Sequence, residues 1–418
     1  MIPFKKTNIL LPKKHINMTK WSVIACDQYT SEIEYWTDVE KIVGEIPSTL
    51  KLTLPEIYLE NENVSKRIDE INETMSKYLN DELFNEYKDT MIYLQRTQKD
   101  GRVREGLIGM IDLEDYSYGT GSTSLIRATE KTVVERIPPR LKVRENALIE
   151  LPHIMVLIDD EKKQIIEELK NKVNDKDIVY DFDLMKDSGH VKGYKLNEET
   201  ISEIESKLEE LGSKEEFKRK YNLDKNILLF AIGDGNHSLA TAKENYERLK
   251  LSLSECEYSI HPARYALVEL VNLHSEALEF EPIHRVIFNT DTNKLIEELY
   301  KYYDINEEGD WQYFELVTKQ YTRKLYISNP KSNISVGSIQ IFLDEYLKNN
   351  EGKIDYIHGD KTARTMGQKE NNVAILFESM QKNELFKTVI LDGSLPRKTF
   401  SMGHSYDKRF YLEARKIK

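Results

Sequence analysis

The stretch Ile227-Leu228-Leu229-Phe230-Ala231-Ile232-Gly233-Asp234-Gly235-Asn236-His237-Ser238 carries the longest uninterrupted apolar run of the chain straight into a polar cluster. The apolar residues predict a buried strand. Behind the cluster, Leu239, Ala242, Tyr246 and Leu249 recur at intervals of three and four, the spacing of one helix face. The cluster therefore falls at a strand-to-helix turn, where Gly233 and Gly235 are free to take backbone angles closed to other residues. Amides at a helix start lack intrahelical partners and the helix dipole is positive there, so such a turn attracts phosphate. Asp234 repels an anion but suits Mg²⁺ or the proton of a hydroxyl. The plainer alternative is a turn in which Asn236 or Ser238 merely caps the helix. The Gly-x4-Gly-Lys-Ser/Thr spacing of a Walker loop is absent.

Outward from this turn, strand-like and helix-like segments alternate, which predicts an α/β architecture with mixed sheets. Further strands are expected at 91–94, 106–113, 154–158, 265–271, 324–328 and 388–391. Charged helices are expected at 161–173 and 198–211, the latter closed by Gly212. The division expected is an N-terminal lobe over 1–160, a central part with the turn over 161–290 and a C-terminal part over 291–418, or one domain spanning 1–418. The 418 residues hold 60 Lys and Arg against 72 Asp and Glu, a formal charge of −12. That balance offers no polycation to a nucleic acid. The apolar run is far short of the ~20 residues that span a bilayer. Cys26 and Cys256 are too few and too distant for a disulfide framework. The expectation is a soluble, reduced, cytoplasmic protein with no secretion signal and no nucleic-acid or membrane partner.

Other residues with chemistry to offer are scattered. Arg127, Glu130, Lys131, Arg136, Arg140 and Arg144 put five cations and one acid in a short span, the kind of clamp a transferring phosphoryl group needs. Pro138-Pro139 is expected to break any helix between Arg136 and Arg140. The alternative is a basic surface helix. The loop 116–124, with Gly119-Thr120-Gly121, reads as a flexible turn or a flap. Asp27 follows a short apolar run and Glu32 lies close behind it; both are candidate acids at a strand end. Cys26 reads as a small buried residue. The nine histidines show no His-x3-His or His-Glu-x2-His spacing, so zinc has no support. Arg264, His284 and Arg285 flank strand-like segments and are candidates to meet a carboxylate or phosphate, as is Lys398 near the carboxyl terminus. His358-Gly359-Asp360-Lys361 forms a compact polar turn. His153 and His274 read as partners in core or surface hydrogen bonds.

The turn resembles the Asp-Gly-His-His-Arg segment of the family called domain of unknown function 1015. The same family is matched in order by Gly106-Leu107-Ile108-Gly109, Glu130-Lys131-Thr132, Leu151-Pro152, Pro282-Ile283-His284-Arg285, residues 355–360 and residues 395–400. Asn236 and Ser238 stand where the family has His and Arg, and Thr129 where a His precedes the Glu. The Asp-Gly-x-His turn is in turn similar to the ParB/sulfiredoxin-like superfold, on which free serine kinases are built. The resemblance implies a strand-turn-helix core with an additional α/β lobe. It also implies phosphorylation of L-serine, with pyrophosphate or a nucleotide (ATP or ADP) as donor.

It strengthens Glu130, Lys131 and Arg136 as ligand contacts, and it implies a carboxylate from an early segment as the base, a role open to Asp27 or Glu32. On this reading a serine hydroxyl loses its proton to that carboxylate or to Asp234. It then attacks a phosphoryl group held by Gly235, Asn236, His237 and Ser238, with Mg²⁺ on Asp234 screening charge. Hydrolysis of a phosphate ester or anhydride at the same turn, or a regulatory nucleotide-binding role, are the competing readings.

Overall fold

The computed structural model describes every residue other than Met1, Glu60, Thr120 and Val133. The chain forms two compact units, one of Met1–Ala128, Thr132–Leu278 and His404–Lys418, the other of Thr129–Lys131 and Glu279–Gly403. The division thus falls at 128/129, 131/132, 278/279 and 403/404. The carboxyl-terminal fifteen residues join the first unit because their backbone and guanidinium groups bond to its strands.

The first unit is built on a mixed sheet. From one edge its strands run Ile178–Asp183, His190–Lys195, Ile92–Thr97, Val103–Asp112, Tyr265–Asn272, Met155–Ile158, Phe230–Asp234, Ile126–Ala128 and Tyr116–Ser117, with Phe4–Lys5 added beside Val103–Asp112. Tyr265–Asn272 is parallel to Met155–Ile158, and Phe230–Asp234 is antiparallel to Met155–Ile158 and parallel to Ile126–Ala128. Side chains alternate between the two faces. Ile92, Leu94, Ile108 and Leu267 join one core with Trp21, Trp36 and Met75; Met91, Tyr93, Leu107, Val268 and Phe230 join the other with Leu239 and Tyr246. Burial on both faces is why these strands read as nearly continuous apolar runs.

The second unit carries a seven-stranded sheet. Its main path is Ile305–Asn306, Thr322–Ile327, Gln312–Val317, Val373–Leu376, Phe280–Phe288 and Lys353–His358, and Phe400–Met402 pairs with the start of Phe280–Phe288. No helix among the described residues is long and apolar enough to cross a membrane.

Three expected elements differ. Residues 388–391 lie inside the helix Lys382–Asp392, opened by a Gln381/Glu384 capping box. Its buried Leu385, Phe386, Val389 and Ile390 keep a helical period that a four-residue window hides. Residues 161–173 form only the short 3-10 helix Glu167–Asn171, because the Asp160 carboxylate accepts from the amides of Gln164 and Ile165 (2.7 and 2.9 Å) and holds a turn there. Pro138 and Pro139 do not break a helix but begin one, Ile137–Arg144, in the first turn where no amide donor is missed.

Gly106 is fixed by a buried neighbour. A Cβ there would stand 2.6 Å from Glu269 Oε1. That carboxylate has no slack, since it is fully buried and pairs with Arg104 (3.2 Å) and Arg409 (2.5 Å). Gly106→Ala is therefore expected to cost about 3 kcal/mol, the range for disturbing a buried ion pair. Urea unfolding followed by circular dichroism measures it, and an unchanged midpoint would refute the assignment.

Candidate active site

The strand Phe230–Asp234 is wedged between two neighbours in the sheet, and its pairing slips between Ile232 and Asp234 just before the chain turns. Gly235 takes the turn at φ +79°, and a Cβ there would lie 3.0 Å from the Ile154 backbone. Glycine alone fits both demands. The helix Asn236–Lys250 starts immediately after, with Gly235 as its N-cap and no side-chain cap. Neither Asn236 nor Ser238 caps it, so the plain capping alternative is not how this turn is built. Asn236 Oδ1 is buried without a hydrogen-bond partner.

Two carboxylates, a lysine ammonium and a histidine ring meet at this turn. Asp234 Oδ1 accepts from the Gly235 amide (2.9 Å), and its Oδ2 lies 3.1 Å from Lys408 Nζ. Asp27 Oδ1 accepts from Gln28 Nε2 (3.0 Å), and its Oδ2 lies 3.6 Å from His153 Nε2. The same Nε2 is 3.3 Å from Ser238 Oγ, and Nδ1 is 2.8 Å from the Tyr411 hydroxyl. Tyr411 donates in turn to Cys26 Sγ (2.9 Å). The Asp27 segment is held beside the carboxyl-terminal one by two backbone bonds, Ala25 to the Arg409 carbonyl (3.0 Å) and Tyr411 to the Val23 carbonyl (2.8 Å).

The electrostatics follow from this packing. Burial pushes the Asp27 carboxyl up, but His153, the Gln28 amide and Lys408 outweigh it and hold Asp27 below the usual carboxylate range. Burial likewise pushes His153 down, but Asp27 and then Asp234 more than reverse that and raise it. Burial and the Asp27 charge push the Cys26 thiol up to about 12, so Cys26 is a neutral partner and no nucleophile. A cavity of about 150 Å³ adjoins the cluster. His153, Ser238 and Tyr411 stand on its wall with apolar Leu54, Met75 and Ile149. Arg140, ion-paired with Glu56, also faces it.

The structure thus brings Asp27 together with Asp234, Gly235, Asn236, His237 and Ser238. Of the other candidates of the first unit, Arg140 and Arg144 line the cavity, paired with Glu56 and Glu150, and the rest lie apart from the cluster. Glu32 is exposed ahead of the helix Ile33–Val43, outside the bonded cluster. Arg127 is buried and spends its guanidinium on the carbonyls of Ser124, Asn226 and Ile227 (2.8–3.0 Å). Arg136 is exposed in the short 3-10 helix Val134–Arg136. Arg264 grips Asp112 through Nε and Nη2 (3.0 and 2.7 Å). In the flexible-loop reading of 116–124, Thr120 lies outside the described residues.

Glu130, Lys131, His284, Arg285 and Lys398 belong to the second unit. There Arg285 is buried and donates to the carbonyls of Ile283 and Lys398 (2.7 Å each) and of Arg397 (3.2 Å). His284 bonds Asp360 (2.9 Å), and burial lowers its pKa. Glu130 accepts from the Thr399 amide (3.3 Å), and burial raises its pKa. Lys131 and Lys398 are exposed.

Three contributors escaped the sequence reading. His153 follows Leu151-Pro152 and reads from sequence as an ordinary hydrogen-bonding histidine, yet it is the hub of the cluster. Lys408 and Tyr411 lie more than 170 residues beyond the turn and have no local motif. Among the described residues one group has metal-ligand spacing, Asp159 with Glu161 and His274. Asp159 is already engaged there by His274 (2.6 Å), Lys220 (2.7 Å) and Tyr221 (2.5 Å).

The His153–Asp27 pair makes stability depend on pH in a definite direction. A raised histidine contributes fully below its ordinary 6.5, and the contribution fades as pH rises through the folded-state value. A depressed Asp27 contributes above its ordinary 3.8, and that fades as pH falls through the folded-state value. The stability difference between the wild type and His153→Gln, from denaturant midpoints, should therefore be largest near pH 5–6 and shrink toward pH 9. A difference that grows with pH would reverse the assignment.

Comparison with known proteins adds the following. A family model described as "Protein of unknown function (DUF1015)" matches residues 2–346. No curated protein matches the chain. Among solved structures, a mutant free serine kinase in complex with AMP is 12% identical, over 74% of this chain and 91% of that one, with a TM-score of 0.39. A conserved hypothetical protein from Pyrococcus furiosus is also 12% identical, over 74% and 94%, with a TM-score of 0.36. SbnI from Staphylococcus aureus, truncated at its carboxyl terminus, is 7% identical over 71% and 82%, with a TM-score of 0.36. With the family model covering most of its length, this chain belongs to the DUF1015 family.

Proposed function

We propose that this protein is a small-molecule phosphotransferase that moves a phosphoryl group from pyrophosphate or a nucleotide to the hydroxyl of L-serine. The observation that carries the reading is the Asp234-Gly235 turn. It opens an uncapped helix, has a carboxylate and an ammonium at its mouth, and adjoins a cavity able to admit a small acceptor. The donor's terminal phosphate sits at the start of the helix Asn236–Lys250, where the helix dipole favours its charge. The acceptor enters the cavity and presents its hydroxyl to the wall carrying His153 and Ser238. Asp27, oriented through His153, takes the hydroxyl proton. The serine oxygen forms the new bond to phosphorus as the bond to the leaving phosphate breaks, and the proton passes from Asp27 to solvent.

Asp234 also suits the expected metal. Its hard oxygens match Mg²⁺, and the cation beside its Oδ2 is the singly charged ammonium of Lys408. When bound, Mg²⁺ would be held by Asp234 and the donor, and would screen the donor's charge.

The test is phosphoryl transfer to L-serine with Mg²⁺, supplying pyrophosphate, ADP and ATP in parallel. Phosphoserine should form with one donor and fall at least ~100-fold in Asp234→Asn, the scale of losing a positioned acid–base or electrostatic group. Thermal midpoints should stay within a few degrees. Free phosphate without phosphoserine would replace the kinase by a hydrolase. No consumption of any donor would sink both.

A further inference from the structure

The geometry points to Lys408 as the phosphate-gripping cation of this site: its ammonium, paired with Asp234, transfers to the donor's phosphate on binding. This rests on the phosphotransferase reading and names a residue that reading does not contain.

Three observations converge. The first is the supply of cations. A phosphate arriving at the turn needs positive side chains, and the arginines that the sequence offered in the first unit are either committed elsewhere or, like Arg136, exposed outside the cluster. Arg127 is spent on three carbonyls, Arg264 on Asp112, and Arg140 on Glu56. Lys408 stands at the turn itself, with a side chain only 12% exposed and Nζ 3.1 Å from Asp234 Oδ2. An ammonium is a compact point charge with three donors, well suited to leave one oxygen anion for another.

The second is the rooting of the backbone on either side. The Asp407 carbonyl accepts from Arg104 Nη1 (2.9 Å). Arg409 is buried and bonds Glu269 (2.5 Å), Glu413 and the Pro152 carbonyl (3.3 Å). The base of the Lys408 arm is thus fixed, and only its methylene chain has to swing. The third is the balance of charge. Asp27 and Asp234 stand here against the Lys408 ammonium and the His153 ring, whose pKa the two carboxylates raise. A dianionic phosphate enters beside these carboxylates favourably only if a cation turns toward it, and His153 is held on two sides by Asp27 and Tyr411.

The test is calorimetric titration of the full chain with inorganic pyrophosphate and, separately, ADP, each with Mg²⁺. Lys408→Gln removes the charge and keeps most of the arm; Lys408→Arg restores the charge. The expected result is at least a ten-fold weaker Kd in Lys408→Gln, recovery to within three-fold in Lys408→Arg, and unchanged thermal midpoints. A second comparison separates direct contact from mere neutralisation of Asp234. On an Asp234→Asn background, Lys408→Gln should still weaken binding about ten-fold. No further loss there would mean that Lys408 only balances Asp234, and would overturn the inference. So would wild-type affinity in Lys408→Gln, which would leave the phosphotransferase reading standing because the donor still binds. Failure of the wild type to bind either probe would overturn both together.

Discussion

Glu269 is a carboxylate with no exposure to water, placed in the middle of the strand Tyr265–Asn272 at the centre of the first unit. Isolated, such a charge would be untenable there. It is held by Arg104 from the next strand and by Arg409 from the carboxyl-terminal segment, and Gly106 leaves it the room that a methyl group would take. Arg409 reaches on to Glu413, whose other oxygen accepts from the Tyr180 hydroxyl (2.5 Å). Removing one partner from a buried cluster of this kind costs ~3–5 kcal/mol, because the rest is left uncompensated. The cluster therefore fastens a segment more than 130 residues distant in sequence to the central sheet. Lys408 and Tyr411, on either side of Arg409, are delivered to Asp234 and His153 by that fastening.

This explains what sequence reading recovers and what it does not. The strand before Asp234 and the helix after it are legible because their apolar residues are contiguous or regularly spaced. The helix Glu198–Leu211 is legible for the same reason. Residues 388–391 mislead because Thr388 followed by three apolar residues fits a strand and a buried helix equally well, and the deciding residues, Leu385 and Phe386, lie outside the window. Residues 161–173 mislead in the opposite sense. Their composition is helical, but one carboxylate, Asp160, captures two amides and competes successfully with the helix.

The site divides along similar lines. Asp234 and Gly235 are legible because a turn needs particular residues side by side. The arginines are not, because a guanidinium reads the same in sequence whether it faces solvent, a carboxylate or three carbonyl oxygens. Arg127 and Arg285 both turn out to tie chain segments together from within. His153 is the converse case. Nothing in its neighbours distinguishes it from a core histidine, and its importance arises only when the sheet sets it between Asp27, Ser238 and Tyr411.

The pairing of Asp27 with His153 and of Asp234 with Lys408 also bears on the proposed phosphoryl transfer. Asp27 is kept weakly basic by His153, the Gln28 amide and Lys408. An anion that draws a cation away leaves the carboxylate with less stabilisation of its charge, and therefore a stronger proton acceptor. The same event concentrates positive charge where a phosphoryl group would develop its own negative charge. In a site arranged this way each carboxylate faces a nitrogen partner. On the phosphotransferase reading, it becomes basic and electrophilic in the right places only as the donor arrives.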